Sequence, residues 1–284
     1  MYDFEEIIDK YRKEQVAYTL DDIIVDTICF VGDLTIDMIL PTYNLKYVYG
    51  NLDYKLDKIY NLENLEMITD KVKFQNIKSN EGLECLEYIN GFYVEDINTV
   101  AFNIAQIDLT KEIFVGDLII NKTLDTNKLK YIIGNLDYRF YKVYNLENLE
   151  MIFGRGQFKK LIHAEGLENL KYIGGTANFS LLRSSKGLHS LEKINGSALF
   201  ENLEDAKGLE KLKYIFKMAY FYSLESALGL EKLEYIGEDA CFSHLKNSKG
   251  LENLEYIGGL HNFGSEGLSF EKFKEREKIK CLKK

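Results

Sequence analysis

Through the second half of the chain one hydrophobic pattern returns with little variation. An apolar residue is followed by a glycine-bearing turn and then by alternation, as in INGSALF from Ile194, IFKMAYF from Ile215 and IGEDACF from Ile236. The fifth position of these heptads is small (Ala198, Ala219, Ala240) and the seventh is Phe200, Phe221 and Phe242. Side chains on a strand alternate between its faces, so positions five and seven share one face, and the alanine leaves room for a ring beside it. Ahead of each heptad stand leucines spaced by three, Leu167 and Leu170 before Ile173 for example, which suits a bent or tightly helical segment. A glycine opens each coil (Gly166, Gly187, Gly208, Gly229, Gly250), always 21 residues apart, and fits a corner that needs positive φ.

The same words extend upstream. GLECLEYING begins at Gly82, which is 84 residues, or four periods, before Gly166. A longer string from Phe30, FVGDLTIDMILPTYNLKYVYGNLDYKLDKIYNLENLEMI, recurs from Phe114, again 84 residues on. A block of four coils is therefore duplicated, residues 16–91 against 100–175. About twelve heptads align between Phe30 and Phe263, with a mean step of about 20.6 residues. No such coil can bury its apolar face alone, so the pattern predicts a repeat β-solenoid in which neighbouring coils complete each other's core. Three regions follow: an N-terminal helical cap (1–15), the solenoid (16–264) and a C-terminal basic cap (265–284). The first cap rests on the stripe Phe4, Ile7, Ile8, Tyr11 and on an Asp3/Glu6 capping box. The second carries Phe270, Phe273 and Leu282 as packing residues, with seven basic and three acidic residues from Ser269 on.

The LxxLxxIxGxLxI framework, carried by words such as GLENLKYIGG and GLEKLEYIGE, resembles leucine-rich repeats of the short-coil type. It is similar to receptor L domains and to repeat proteins of bacteria and large viruses in which LENLKYIGG words recur. The resemblance spans roughly residues 16–264 and leaves both a horseshoe and a straighter, right-handed β-helix-like solenoid open. It implies binding of a ligand or partner rather than catalysis.

Composition narrows the partners. Thirty-six basic against 45 acidic residues give a net charge of −9, so phosphate backbones and anionic lipid are repelled. No stretch reaches the roughly 18 apolar residues of a membrane span, and no signal-peptide core precedes the repeats. Cys29, Cys85, Cys241 and Cys281 are far apart, without CxxC or histidine at metal spacing, which fits reduced thiols in a cytoplasmic protein. Secretion by another route stays open.

No catalytic constellation is evident in the sequence. His163, His189 and His244 fall in turns or corners and His261 at a nominal core position; no serine or cysteine sits in a nucleophile elbow. GRGQFKK at Gly154 lacks phosphate-loop spacing and reads as a repeat strand. Asp33, Asp37 and Asp53, echoed by Asp117 and Asp137, fall on outward positions where neighbouring carboxylates could share a hard cation; solvated polar faces are the expectation, with a carbohydrate-active parallel β-helix as the enzymatic alternative. A tyrosine column (Tyr47, Tyr88, Tyr131, Tyr172, Tyr214, Tyr235, Tyr256) reads as structural. The sixth heptad position, facing solvent, is mostly polar (Thr35, Asp53, Lys73, Asp137, Gln157, Asn178) but becomes Leu199, Tyr220 and Cys241 in consecutive coils, flanked by Met218 and Tyr222. An exposed apolar patch of that kind marks a contact surface. The expectation is a non-enzymatic scaffold that binds a protein partner there, without cofactor or metal; a surface or secreted, adhesin-like binding module is the alternative.

Overall fold

The computed structural model describes residues 11, 15–264, 267–272 and 275. It is a β-solenoid of about twelve turns, built from parallel strands of two or three residues with very little helix. The chain divides into two compact units, Met1–Gly116 and Asp117–Lys284.

Each heptad supplies two strands rather than one. In the coil that holds INGSALF, Lys193–Ile194 belongs to one sheet and Ala198–Leu199 to another, with Asn195, Gly196 and Ser197 making the bend between them. In the second unit, strands from Tyr131–Ile133 to Tyr256–Ile257 run parallel in the first sheet. Leu118–Ile120 to His261–Phe263 form the eight-stranded second sheet. Both registers advance one coil per strand, with Ile173↔Ile194↔Ile215 on one sheet and Ala177↔Ala198↔Ala219 on the other. The leucines spaced by three form the bent corner, where Leu170 N bonds Leu167 O and Leu167 N bonds Ala164 O, each at 3.0 Å.

The core is a ladder of rings. Phe158, Phe179, Phe200, Phe221, Phe242 and Phe263 are fully buried and stack at 4.7–5.2 Å with interplanar angles of 4–11°. Alanines at position five make that spacing available. Beyond Phe263 the chain doubles back, Leu268 bridging antiparallel to Phe263, and Phe270 lays its ring 4.8 Å from Phe263, so the last coil's ring is covered. Residues 270–272 are helical; Phe273 and Leu282 of the expected C-terminal cap lie outside the described residues, as does the expected N-terminal cap apart from Tyr11 and Gln15.

The coil-opening glycines have a steric reason. At Gly208 (φ +122) a Cβ would sit 2.3 Å from the carbonyl oxygen of Ser185 in the preceding coil. In the duplicated words YNLENL the same position is Asn61 or Asn145, which reach φ 59 and 58, the left-handed region asparagine tolerates best after glycine. The GLE word adds a cap: Glu168, Glu210, Glu231 and Glu252 each accept a hydrogen bond from the amide of the glycine two residues earlier.

In the first unit, a six-stranded sheet runs Val16–Ala17, Cys29–Val31, Tyr47–Tyr49, Met67–Ile68, Tyr88–Ile89, Phe92–Tyr93, and a three-stranded sheet holds Leu34–Ile36, Leu52–Tyr54 and Val72–Phe74. Here one heptad departs from the expected pattern. INGFYVE does not cross to the second sheet: Asn90 (φ 51) and Gly91 (φ 74) form a hairpin, and Phe92–Tyr93 pairs antiparallel with Tyr88–Ile89. Positive φ at both central residues is what an Asn-Gly hairpin turn of type I′ requires. The three-stranded sheet consequently ends at Phe74, where Phe102 packs edge-on at 4.8 Å and Asn103 Nδ2 donates to the carbonyls of Phe74 and Ile77. A buried polar cluster holds this closure: Asn80 Nδ2 donates to Ile97 O (2.7 Å) and Val100 O (2.9 Å), and Gln106 Nε2 donates to Asn80 Oδ1 (3.0 Å).

Candidate functional site

The outward row of the second sheet reads Ile119, Asp137, Gln157, Asn178, Leu199, Tyr220, Cys241, Asn262, one residue per coil in register. Alternation makes it outward, because the residues on either side, Ala219 and Phe221 in Tyr220's coil, are completely buried. Leu199, Tyr220 and Cys241 are thus adjacent, as expected, and all three are half-buried. Asn178, expected to be solvated, is 9% exposed, because its Oδ1 turns back to accept from Ser180 N and Oγ. Ile119, 41% exposed, is an apolar member of the row that the heptad comparison passed over, though its place at position six of FVGDLII was legible.

Met218, Tyr220 and Tyr222 lie two residues apart along one coil and pack on one another. Tyr220 Oη donates to Met218 Sδ at 3.0 Å, and the Tyr220 and Tyr222 rings stack with centroids 5.4 Å apart. Burial pushes both the Cys241 thiol and the Tyr222 hydroxyl above their ordinary values. Cys241 therefore stays a thiol at neutral pH, without the thiolate character that nucleophilic or redox chemistry needs. The result is an uncharged ridge, Met218–Tyr220–Tyr222, with Leu199 on one side and Cys241 on the other.

Two of the acidic residues, Asp33 and Asp117, serve the backbone, whereas Asp53 Oδ1 is buried without a hydrogen-bond partner among the described residues. Asp33 Oδ1 accepts from Asn51 N and Nδ2, and Asn51 Oδ1 accepts in turn from Lys71 N. Asp117, Asn135 and Arg155 N repeat this ladder in the second unit. Asp137 forms a two-pronged pair with Arg139, and Asp37 is exposed. Among the described residues no group of three or more His, Cys, Asp or Glu side chains is placed to hold a metal ion. His163, Ser184 and Asp205 fall at bridged positions of successive coils, but Ser184 Oγ accepts from Lys186 N and Asp205 from Lys207 N, so these two serve their own turns. His261 is half-buried at the last coil, its Nδ1 accepting from Phe270 N, rather than in the core proper. Gly156 of GRGQFKK lies in a strand paired with Ala177, as the repeat requires.

The tyrosine column forms the outward row of the first sheet: Tyr47, Met67, Tyr88 in the first unit and Tyr131, Met151, Tyr172, Lys193, Tyr214, Tyr235, Tyr256 in the second. Tyr235 and Tyr256 stack at 4.8 Å and 8°. Each of those two rings covers one face of the other.

Immediately before it runs a charge ladder that the heptad comparison missed. Each residue's amide bonds the carbonyl of its predecessor one coil earlier in the series Lys130, Glu150, Lys171, Glu192, Lys213, Glu234, Glu255. Lys171–Glu150 (2.7 Å) and Lys213–Glu234 (3.2 Å) are cross-coil ion pairs. In the first unit the equivalent row is Lys46, Glu66, Glu87, with Lys46–Glu66 at 2.6 Å. The 21-residue period made this alternation readable, had the residues flanking the tyrosines been aligned.

No family model matches the chain, and no curated protein does. Among the described residues no helix is long and apolar enough to cross a membrane.

Proposed function

We propose that the protein is a non-enzymatic scaffold, similar to short-coil leucine-rich repeats, that binds a protein partner through the outward face of its second sheet. The Met218–Tyr220–Tyr222 ridge with Leu199 and Cys241 carries this reading. It is a contiguous apolar surface built around the paired strands Ala198–Leu199, Ala219–Tyr220 and Ala240–Phe242, and tyrosine is among the residue types enriched at binding hot spots. Packing between Tyr220 and Tyr222 fixes their rotamers before a partner arrives, which lowers the entropy cost of association. The widely spaced cysteines support a cytoplasmic site of action, to be checked by fractionation.

The test is a photo-crosslinking residue placed at Tyr220, compared with one at Glu204 on another face, in the intact chain in its native cells. The reading expects a protein adduct at 220 and none of that mass at 204, and expects Tyr220→Ala with Leu199→Ser to abolish co-purification of the same protein with little change in melting temperature. Retained binding by that double variant would overturn it.

A further inference from the structure

In the second unit a cleft of about 360 Å³ opens between two neighbouring coils, on the corner that follows each buried phenylalanine. Ile162, His163, Leu181 and Arg183 line it, and its walls are mainly apolar. That volume lies at the lower end of the range of ligand clefts. Leu181 is 44% exposed. Two later coils place Asn202 and His244 at the same position, two residues after the phenylalanine, and each hydrogen-bonds a carbonyl of the preceding coil, Ser180 O and Tyr222 O. At 181 that polar residue gives way to a leucine, which cannot make the bond and faces water instead. Apolar exposure continues beyond Ile162, whose amide bonds the Tyr141 carbonyl of the preceding coil at 3.1 Å; Tyr141 is 59% exposed.

The charge around the cleft is positive. Lys159, Lys160, His163 and Arg183 are exposed, and an exposed Lys142 follows Tyr141 as His163 follows Ile162. No aspartate or glutamate lies between Gln157 and Ala164 or between Asn178 and Gly187. In register, Glu204 stands one coil beyond Arg183, on the side away from Ile162; its amide bonds the Arg183 carbonyl at 2.9 Å. On a chain of net charge −9, these two coils are a local reversal of sign. An arginine fork beside an apolar cavity suits a planar carboxylate carried next to a large apolar side chain.

We infer that this cleft docks an acidic extended segment of another protein, seating one large apolar side chain between Ile162 and Leu181 and pairing flanking carboxylates with Arg183 and Lys160. Burial of the apolar side chain supplies affinity, and the charge pairs set register and speed the encounter. A nucleic acid has no aliphatic or aromatic side chain to offer the cavity, and its phosphates meet the repulsion of the chain's net charge. The cleft shares no residue with the Tyr220 ridge, and its failure would leave that reading standing.

The probe is a fluorescein-labelled (Asp-Asp-Phe-Gly)3 peptide titrated by anisotropy against the full chain. References are (Asp-Asp-Ser-Gly)3, (Lys-Lys-Phe-Gly)3 and a single-stranded oligothymidylate. Saturable binding of the first peptide is expected, at least tenfold tighter than that of any reference. Leu181→Asn supplies the residue that a later coil carries at this position, so it should weaken binding at least fivefold while the melting temperature holds or rises. Arg183→Glu, which copies the next coil's Glu204, should weaken it at least tenfold. Lys232→Glu, the same charge change elsewhere in the unit, should cost less than threefold, and Tyr220→Ala with Leu199→Ser should cost nothing. A reference that binds as tightly, equal losses in the two glutamate variants, no loss in Leu181→Asn, or a loss in the Tyr220 pair would each overturn the inference.

Discussion

Phe221 and Tyr222 are neighbours in sequence that should respond in opposite ways to the same substitution. Phe221 is fully buried, its ring held between Phe200 at 5.2 Å and Phe242 at 5.0 Å. Truncation to alanine removes a ring from a site whose walls are backbone strands fixed by cross-coil hydrogen bonds, so the gap cannot collapse. Buried Phe→Ala changes cost about 3–5 kcal/mol, and the loss of stacking with two neighbours adds to the burial term, which places this one at about 4–5 kcal/mol. Tyr222 is 38% exposed and contacts Tyr220 from outside. Its truncation should cost about 1 kcal/mol or less, as surface changes do. Urea unfolding followed by circular dichroism reads both. A one-residue slip in register would exchange the two faces, so a Phe221→Ala loss below that of Tyr222→Ala would refute the inward assignment and with it the outward ridge. Because each coil touches mainly its neighbours, hydrogen exchange in Phe221→Ala should accelerate first in the flanking coils.

Two further outcomes follow from buried polar groups. Asn80→Ala strips partners from the carbonyls of Ile97 and Val100 and from Gln106, and should destabilise by about 2–3 kcal/mol with faster amide exchange across 97–106; unchanged exchange there would show that the cluster does not hold the closure. Burial pushes the Tyr138 hydroxyl up to about 12, so above the ordinary tyrosine value near 10 the unfolded chain loses a proton that the folded chain keeps. Its contribution is intact below pH 10 and is lost as pH rises from 10 to 12. Melting temperature should fall across that window less steeply in Tyr138→Phe, and an identical slope in the two proteins would contradict the assignment.

Much of this molecule is determined locally. The 21-residue period, the small residue two before each phenylalanine and the glycine or asparagine at each coil opening dictate a stacked coil with rings inside, because side-chain alternation and the left-handed φ are properties of single residues and their nearest neighbours. Position six being outward followed from the same alternation, so the Leu199, Tyr220, Cys241 row was legible before any coordinates. Other features depend on what stands one coil away. Asn90-Gly91 and Asn195-Gly196 open with the same letters, Ile-Asn-Gly, yet only the first folds into a hairpin. At 194 the bend leads into Ala198–Leu199, which finds Ala177–Asn178 and Ala219–Tyr220 waiting on either side; at 89 the chain continues Phe-Tyr, without the small-then-ring pair that fits the second sheet, and Phe92–Tyr93 folds back on its own strand. Likewise Asp33 and Asp117, expected from sequence to stand on solvated polar faces, became backbone acceptors once Asn51 and Asn135 were stacked beside them. The charge ladder likewise exists only through cross-coil register, since Lys171 is balanced by Glu150 in the preceding coil rather than by its neighbours in the chain.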